Sequence, residues 1–425
     1  VEDYTPEYVE EITGIPAGDL RQAAKMYGEA ESASIVYAMG ITQHTSGVDN
    51  VLSCANLAML TGNVGRPSTG VNPLRGQNNV QGACDMGGLP NVYPGYQSVT
   101  SPAVNEKFAK AWETDLPDKV GLTVTEMVEL ADSGEVKAMY VMGENPLVAD
   151  PDINHARKAM KNLDFLVVQD LFLTETAEIA DVVLPGASFA EKDGTFTATD
   201  RRVQLFTPAI DPVGDSKPDW EIIKILAEKM DAPGFDYAST AEIMDEIASL
   251  TPIYGGYSHQ RLKGDNVIPW PCPTEDHPGT PYLHKGKFSR GVGKFHAIEY
   301  TEPDEMVSEE FPLILTTGRI MFHFHTGSMS RRAEKLNKEV SEAYVEMHPE
   351  DAKRIGLNGK KKVKVSSRRG EIELVARVTD RIKPGVVFIP FHFAEAAANA
   401  LTNSAFDPIA KIPEYKVCAV KVEQV

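Results

Sequence analysis

The run Val136-Lys137-Ala138-Met139-Tyr140-Val141-Met142, followed by the loop Gly143–Asp150 and the helix Pro151–Asn162, decides the fold of this chain. The pattern repeats at once. Phe165–Val168 is a second strand, Gln169–Thr174 a loop and Glu175–Ala180 a helical turn. Asp181–Leu184 is a third strand, ended by Pro185-Gly186. Strand, loop and helix at this spacing imply parallel strands with right-handed crossovers, and so an α/β architecture.

Working towards the N-terminus, Thr5-Pro6 reads as an N-cap with proline at the first helical position, and Gly14 stops that helix. Ser34–Met39 is a short apolar strand ending at Gly40. Val48, Val51, Leu52, Ala55 and Ala58 form one helical stripe. The stretch from Gly62 to Gly88 is rich in Gly, Asn and Pro and shows no clear period. A long irregular stretch of this kind in a compact domain is more often functional than idle. Working towards the C-terminus, Trp220–Met230 is an amphipathic helix, and residues 251–296 form an irregular connector. From about Phe311 the texture becomes β-rich, with strands over Phe311–Thr316, Lys362–Arg368, Glu371–Val378 and Val386–Phe391. Arg368-Arg369-Gly370 reads as a hairpin turn, and the whole region as a separate small barrel. The basic residues Lys353, Arg354, Lys360, Lys361, Lys362, Lys364, Arg368 and Arg369 could dock an acidic partner. A solvated strand edge protected by lysines is the simpler reading.

Composition bounds the function. The 42 Lys and Arg against 61 Asp and Glu leave a net charge of −19. An acidic surface is a poor match for nucleic acid or an anionic membrane. No apolar run approaches the ~18–20 residues a membrane helix needs. The start at Val1, not Met, is expected of a processed chain or a fragment, and the start is too polar for a signal peptide. Cys54, Cys84, Cys272 and Cys418 are far apart with no CxxC pair, so no zinc knuckle, redox motif or iron–sulfur site is expected from them. Free buried cysteines go with a reducing compartment.

In an open parallel sheet, ligands lie beyond the C-terminal strand ends. Met39–Gln43, Gly143-Glu144-Asn145-Pro146 and Gln169-Asp170 sit there. Ionised Glu144 and Asp170 only accept hydrogen bonds, so they suit purine N–H groups or ribose hydroxyls. Helix capping is the plainer use of either. There is no GxGxxG after a strand, no P-loop and no Gly-x-Ser-x-Gly elbow. The glycine-rich run is Leu74-Arg75-Gly76-Gln77-Asn78-Asn79-Val80-Gln81-Gly82. Arg75 offers a planar fork matched to a carboxylate, or it ties its own loop together. In Thr317-Gly318-Arg319-Ile320-Met321-Phe322-His323-Phe324-His325-Thr326 donors are dense. His323 and His325 would share a face if the run were extended. With no third ligand in view, structural histidines are expected there, not metal ligands.

At these residues the chain resembles the catalytic subunit of molybdenum- or tungsten-dependent formate dehydrogenase, within the molybdopterin oxidoreductases of the dimethyl sulfoxide reductase class. The similar stretches are Leu60–Gly70, Arg75–Tyr96, Gly143–Asp150, Gln169–Pro185, Glu191–Gln204, Thr317–Arg331 and Asn399–Val422. Arg-Gly-Gln-Asn-Asn-Val-Gln-Gly-Ala-Cys-Asp-Met-Gly at 75–87 and Trp-Pro-Cys-Pro-Thr-Glu-Asp-His-Pro-Gly-Thr-Pro at 270–281 are specific to the formate branch. The resemblance implies Rossmann-like parallel-sheet domains followed by a C-terminal β-barrel of double-psi type. Residues 1–77 would finish one Rossmann-like domain, 78–305 would form most of a second, and 306–425 the barrel. It implies a Mo- or W-bis(molybdopterin guanine dinucleotide) cofactor. Met39, Gln43, Glu144, Gln169, Asp170, Lys192, Asp219, Thr317, Gly318, Arg319, His323, His325, Thr326, Phe391, Asn399 and Lys416 match its contacts. Arg75 would hold the formate carboxylate beside the metal. The family's metal-ligating Cys or selenocysteine, the His after it and the cysteines of one [4Fe–4S] cluster have no match here. They are expected upstream of Val1. Formate and carbon dioxide would be substrate and product, with an electron-accepting subunit as partner and a cytoplasmic setting expected. Nitrate reductase or formylmethanofuran dehydrogenase chemistry, and a non-catalytic scaffold, are the rivals. The run at 75–79 argues against the first two. Retention of the dinucleotide-contact positions argues against the scaffold.

Overall fold

The computed structural model describes residues 2–264, 266–358 and 361–425, so Lys360 of the basic stretch lies outside it. The N-terminal helix Pro6–Thr13 forms as its ends dictate. The Thr5 hydroxyl accepts from the Tyr8 N–H, and Gly14 closes the helix at φ 68°. Ser34–Tyr37 pairs in parallel with Gly70–Pro73, with Ser34 opposite Gly70. The helix Gly47–Leu60 lies between these strands in the chain. The stretch from Gly62 to Gly88 is therefore structured where no period was visible: it holds that strand and the helix Val80–Asp85. A four-residue strand bounded by Gly and Pro has too few side chains to show alternation.

The middle segment is a three-stranded parallel sheet of Ala138–Met142, Phe165–Asp170 and Val182–Pro185, with Phe165–Asp170 central. The central strand runs two residues beyond its apolar core, to Gln169 and Asp170, because both still pair with neighbours. That extension carries their side chains to the C-terminal end of the sheet. Helix Val124–Asp132 opens on a capping box of Thr123 and Glu126. It packs against Ile153–Lys161 through buried Val128, Ala131, Ala156 and Ala159.

Six strands close a barrel in the order Leu313–Gly318, Val386–Pro390, Tyr344–Met347, Glu371–Val378, Lys362–Ser366 and Cys418–Gln424. Alternate residues point inward, among them Leu315, Val345, Met347, Val363, Val365, Val387 and Ile389. Each fully buried aliphatic side chain is worth about 1.5–3 kcal/mol. The Lys362–Ser366 strand bonds to a neighbour on both sides, so the expected free edge does not exist. Its Lys362 and Lys364 alternate outward from Val363 and Val365 simply because the strand is pleated. Arg368 and Arg369 are also not free: both pair with Glu305, Arg369 at 2.6 Å.

The barrel is tied to both α/β parts. Asn399 donates to the carbonyls of Val148 and Ala149, each at 2.9 Å, and the Tyr415 hydroxyl donates to Ala149. Asp407 accepts from the Val48 N–H at the start of the long N-terminal helix, and Glu414 accepts from Thr45. No helix among the described residues is long and apolar enough to cross a membrane.

Candidate functional site

A cavity of about 470 Å³ opens beyond the ends of the three parallel strands. Gly143 and Glu144, Gln169 and Asp170, and Gly186 and Ser188 line it from successive strands, with Lys192 and Asp219 beside them and His325 and Thr326 from the barrel. Asp219 is the first residue of the helix Asp219–Lys229, where the dipole favours a carboxylate. It pairs with the Lys192 ammonium and accepts from the Gln169 amide at 2.6 Å. Tyr140 in turn donates to the Gln169 carbonyl oxygen. Asp170 has a different shell. One oxygen accepts from the Phe172 N–H at 3.0 Å, and no lysine or arginine pairs with it among the described residues. Burial raises its pKa, against the pull of the Phe172 and Leu171 N–H groups. Burial likewise raises Glu144. Asp150, close behind, is pushed up to about 7 by burial and by the charge on Glu144.

The loop after the barrel strand Leu313–Gly318 supplies a second, cationic cluster. Thr317 and Gly318 sit opposite Ile389 and Pro390, so Arg319 leaves the barrel beside Phe391. Its guanidinium lies 5.7 Å from the Phe391 ring centre and reaches the Met39 sulfur, which also accepts from Gln43 at 3.3 Å. Lys416 donates to the Thr317 carbonyl at 2.6 Å. Burial, then the nearby Arg319 charge, pushes Lys416 down to about 8 and His325 down to about 4. His325 is therefore neutral at pH 7, and its ring lies 3.8 Å from Glu144, too far for a hydrogen bond. Among the described residues neither Arg319 nor Lys416 has a carboxylate partner. The Arg319 Nε is buried with no acceptor at all.

Arg75 lies on an adjoining loop. Its N–H is held by the Thr199 hydroxyl at 2.9 Å, and its Nε donates to the Gln81 side chain at 3.3 Å. The two Nη nitrogens make no protein hydrogen bond among the described residues. The next residue, Gly76, touches the other cluster: a Cβ there would collide with the Arg319 guanidinium. Gln77 and Asn78 continue into the wall of the strand-end cavity. One loop thus joins Arg75, the cationic cluster and the cavity.

Of the sixteen positions expected to touch the cofactor, His323 and Asn399 have polar atoms engaged by the protein itself. The His323 ring is buried, with its nitrogens bonded to Ser330 and to the Val340 carbonyl. Asn399 spends both amide hydrogens on Val148 and Ala149. His323 and His325 do not share a face, because the run from Arg319 to Thr326 is a turn and not a strand, with His325 at φ 46°. Ser188, Phe189, Phe196, Ser328 and Met329 also line the cavity and were not anticipated, and Phe324, inside the run 317–326, joins them. A motif match at Lys192 and Thr326 lies within a few residues of each. No group of three or more His, Cys, Asp or Glu side chains among the described residues could hold a metal ion.

Comparison with known proteins gives this geometry a context. The family described as "Molybdopterin oxidoreductase" matches residues 22–229, and that described as "Molydopterin dinucleotide binding domain" matches residues 313–419. The chain is 58% identical over 429 residues to "F420-dependent formate dehydrogenase 1 subunit alpha" of Methanococcus maripaludis, covering 100% of this chain and 63% of that protein. It is 44% identical over 431 residues to "Formate dehydrogenase H" of Escherichia coli, covering 60% of that protein. Among solved structures, acetylene hydratase from Pelobacter acetylenicus shares the fold at a TM-score of 0.74 and 19% identity, over 100% of this chain and 65% of the other. The chain thus spans about three fifths of the length of these two relatives. With a parallel-sheet cavity, a cationic loop at the mouth of a closed barrel and both matches in register with them, this chain belongs to the molybdopterin oxidoreductase family.

Proposed function

We propose that the chain is part of a formate dehydrogenase catalytic subunit that oxidises formate to carbon dioxide, reversibly, with a Mo- or W-bis(molybdopterin guanine dinucleotide) cofactor. The observation that carries this reading is the junction at Gly76, which packs against the buried Arg319 guanidinium and directly follows Arg75, whose Nη pair makes no protein hydrogen bond among the described residues.

The residues present fit the cofactor. A buried guanidinium with an orphaned Nε and no carboxylate is costly unless an anion completes it. Arg319 and Lys416 would hold pyrophosphate oxygens. Asp170 and Glu144 would accept N–H groups of a guanine in the strand-end cavity, and such donors would oppose the effect of burial on both carboxyls. When bound, the metal centre supplies the acceptor for the two electrons that leave as formate becomes carbon dioxide and a proton.

Arg75 does the rest of the substrate work on this chain. Its Nη pair can bind both formate oxygens and fix the direction of the C–H bond. The product carries no charge, so the same guanidinium holds it less tightly. The electrons would pass to a [4Fe–4S] cluster and on to an electron-accepting subunit, both outside this chain. A cytoplasmic setting goes with this reading, supported by four unpaired cysteines. In the complete enzyme, Arg75→Ala should lower formate turnover by about 100-fold or more, the size of one positioned electrostatic group, with metal content unchanged. Wild-type turnover at saturating formate would remove the reading.

A further inference from the structure

Beneath Arg75 lies a buried polar network that the reaction as described does not use. Gln81 and Asp85 stand one helical turn apart on Val80–Asp85. Asp85 is fully buried, and Gln81 and Tyr254 are nearly so. No lysine or arginine pairs with Asp85 among the described residues. Its charge is met by three neutral donors instead. The Gln81 amide and the Tyr96 hydroxyl reach Oδ1, both at 2.8 Å, and the Tyr254 hydroxyl reaches Oδ2 at 2.6 Å. Tyr254 accepts in turn from Thr197 at 3.0 Å.

The donor and acceptor inventory fixes every orientation. An ionised carboxylate only accepts, so both tyrosines spend their protons on Asp85. Tyr96 is then an acceptor towards Gln81, whose nitrogen lies 3.0 Å from it. Both neighbours of the Gln81 nitrogen are therefore acceptors, and the amide cannot flip. Its carbonyl oxygen must face outward, and it meets the Arg75 Nε at 3.3 Å. Burial and the Asp85 charge raise both tyrosine hydroxyls, so neither gives up its proton near neutrality.

We infer that Asp85, acting through Gln81, is a positioning residue that fixes the Arg75 guanidinium at Nε and leaves its Nη pair aimed at a planar monoanion. This rests on the substrate role given to Arg75 above. A salt bridge to Arg75 would have done the holding more simply. It would also have neutralised the charge that the substrate needs. A neutral amide relayed from a buried acid orients the guanidinium and leaves its charge unspent.

The test is a double-mutant cycle in the complete enzyme, read by the KM for formate and by the Kd of nitrate. Nitrate presents the same two-oxygen edge as a carboxylate and cannot be oxidised, so its binding is measured by titration calorimetry without turnover. Gln81→Leu should raise both constants about tenfold, the effect of losing one hydrogen bond to a charged group, with kcat changed less. In an Arg75→Ala background the same change should add nothing. Asp85→Asn, of the same volume, should act in the same direction and serves if Gln81→Leu does not accumulate. Unchanged constants, or an equal loss with and without Arg75, would overturn the inference. If Arg75→Ala itself leaves formate KM and nitrate binding untouched, the substrate reading fails first.

Discussion

Asp170 and Asp219 face one cavity with opposite degrees of commitment. Asp219 is already paired with Lys192 and Gln169 and rests on a helix N-terminus. Asp170 has only backbone donors, so it keeps acceptor capacity for a ligand. A guanine edge offers it two N–H groups, and charge-assisted bonds of that kind are worth roughly 1.5–3 kcal/mol each. Asp170→Ala should therefore lower dinucleotide occupancy at least tenfold under limiting cofactor, while the far-ultraviolet dichroism of the purified protein stays the same. Metal content equal to wild type would assign the cavity to something other than the guanine.

The loop from Arg319 to Thr326 has no regular structure of its own, and a histidine from outside it ties its two ends. His392 is fully buried. Its Nε2 accepts from the Ile320 N–H at 2.9 Å and its Nδ1 donates to the His325 carbonyl, which requires the neutral ring. Burial pushes His392 down to about 4, against an ordinary value near 6.5. Between those values the unfolded chain takes up a proton that the folded chain refuses. Stability from this group is thus complete above about pH 6.5 and is lost as pH falls towards 4, about 2 kcal/mol of it by pH 5. His392→Gln keeps a donor and an acceptor but does not titrate. Denaturant melts at pH 7.5 and 5 should show a smaller acid loss for the variant than for wild type; equal losses would place the sensitivity elsewhere. This loop also marks where sequence reading ran out. The parallel sheet was readable because its strands are apolar, its helices periodic and its stops are Gly and Pro. The barrel strands Tyr344–Met347 and Cys418–Gln424 were not, being short or adjoining charged residues with no turn signal between them. The turn at 319–326 was hidden too, since its aromatic and β-branched residues fit an extended run as well as a turn, and the positive φ of His325 decides between them. Asp85 could not be singled out at all, because Tyr254 is 169 positions away.

The positions proposed to touch the cofactor run from Met39 to Lys416, and no one segment makes a site. The strand-end cavity needs the barrel for His325 and Thr326, and the cationic cluster needs Met39 and Gly76 from the N-terminal part. The seams between these parts are polar and specific, through Asn399, Tyr415, Asp407 and Glu414, so the three parts can fold into one frame without a cofactor. Catalysis asks for more. The four cysteines are unpaired and scattered, and no side-chain cluster among the described residues could hold a metal ion. Several apolar side chains of the sheets face water, including Val36, Tyr140 and Met142. Residues 1–425 produced alone should therefore fold, show cooperative melting, carry no stoichiometric Mo, W or iron–sulfur cluster, and oxidise no formate in a dye-linked assay. Metal analysis and that assay on the isolated chain decide it, because stoichiometric metal with turnover would require a ligand on this chain that none of the four cysteines provides in the present structure.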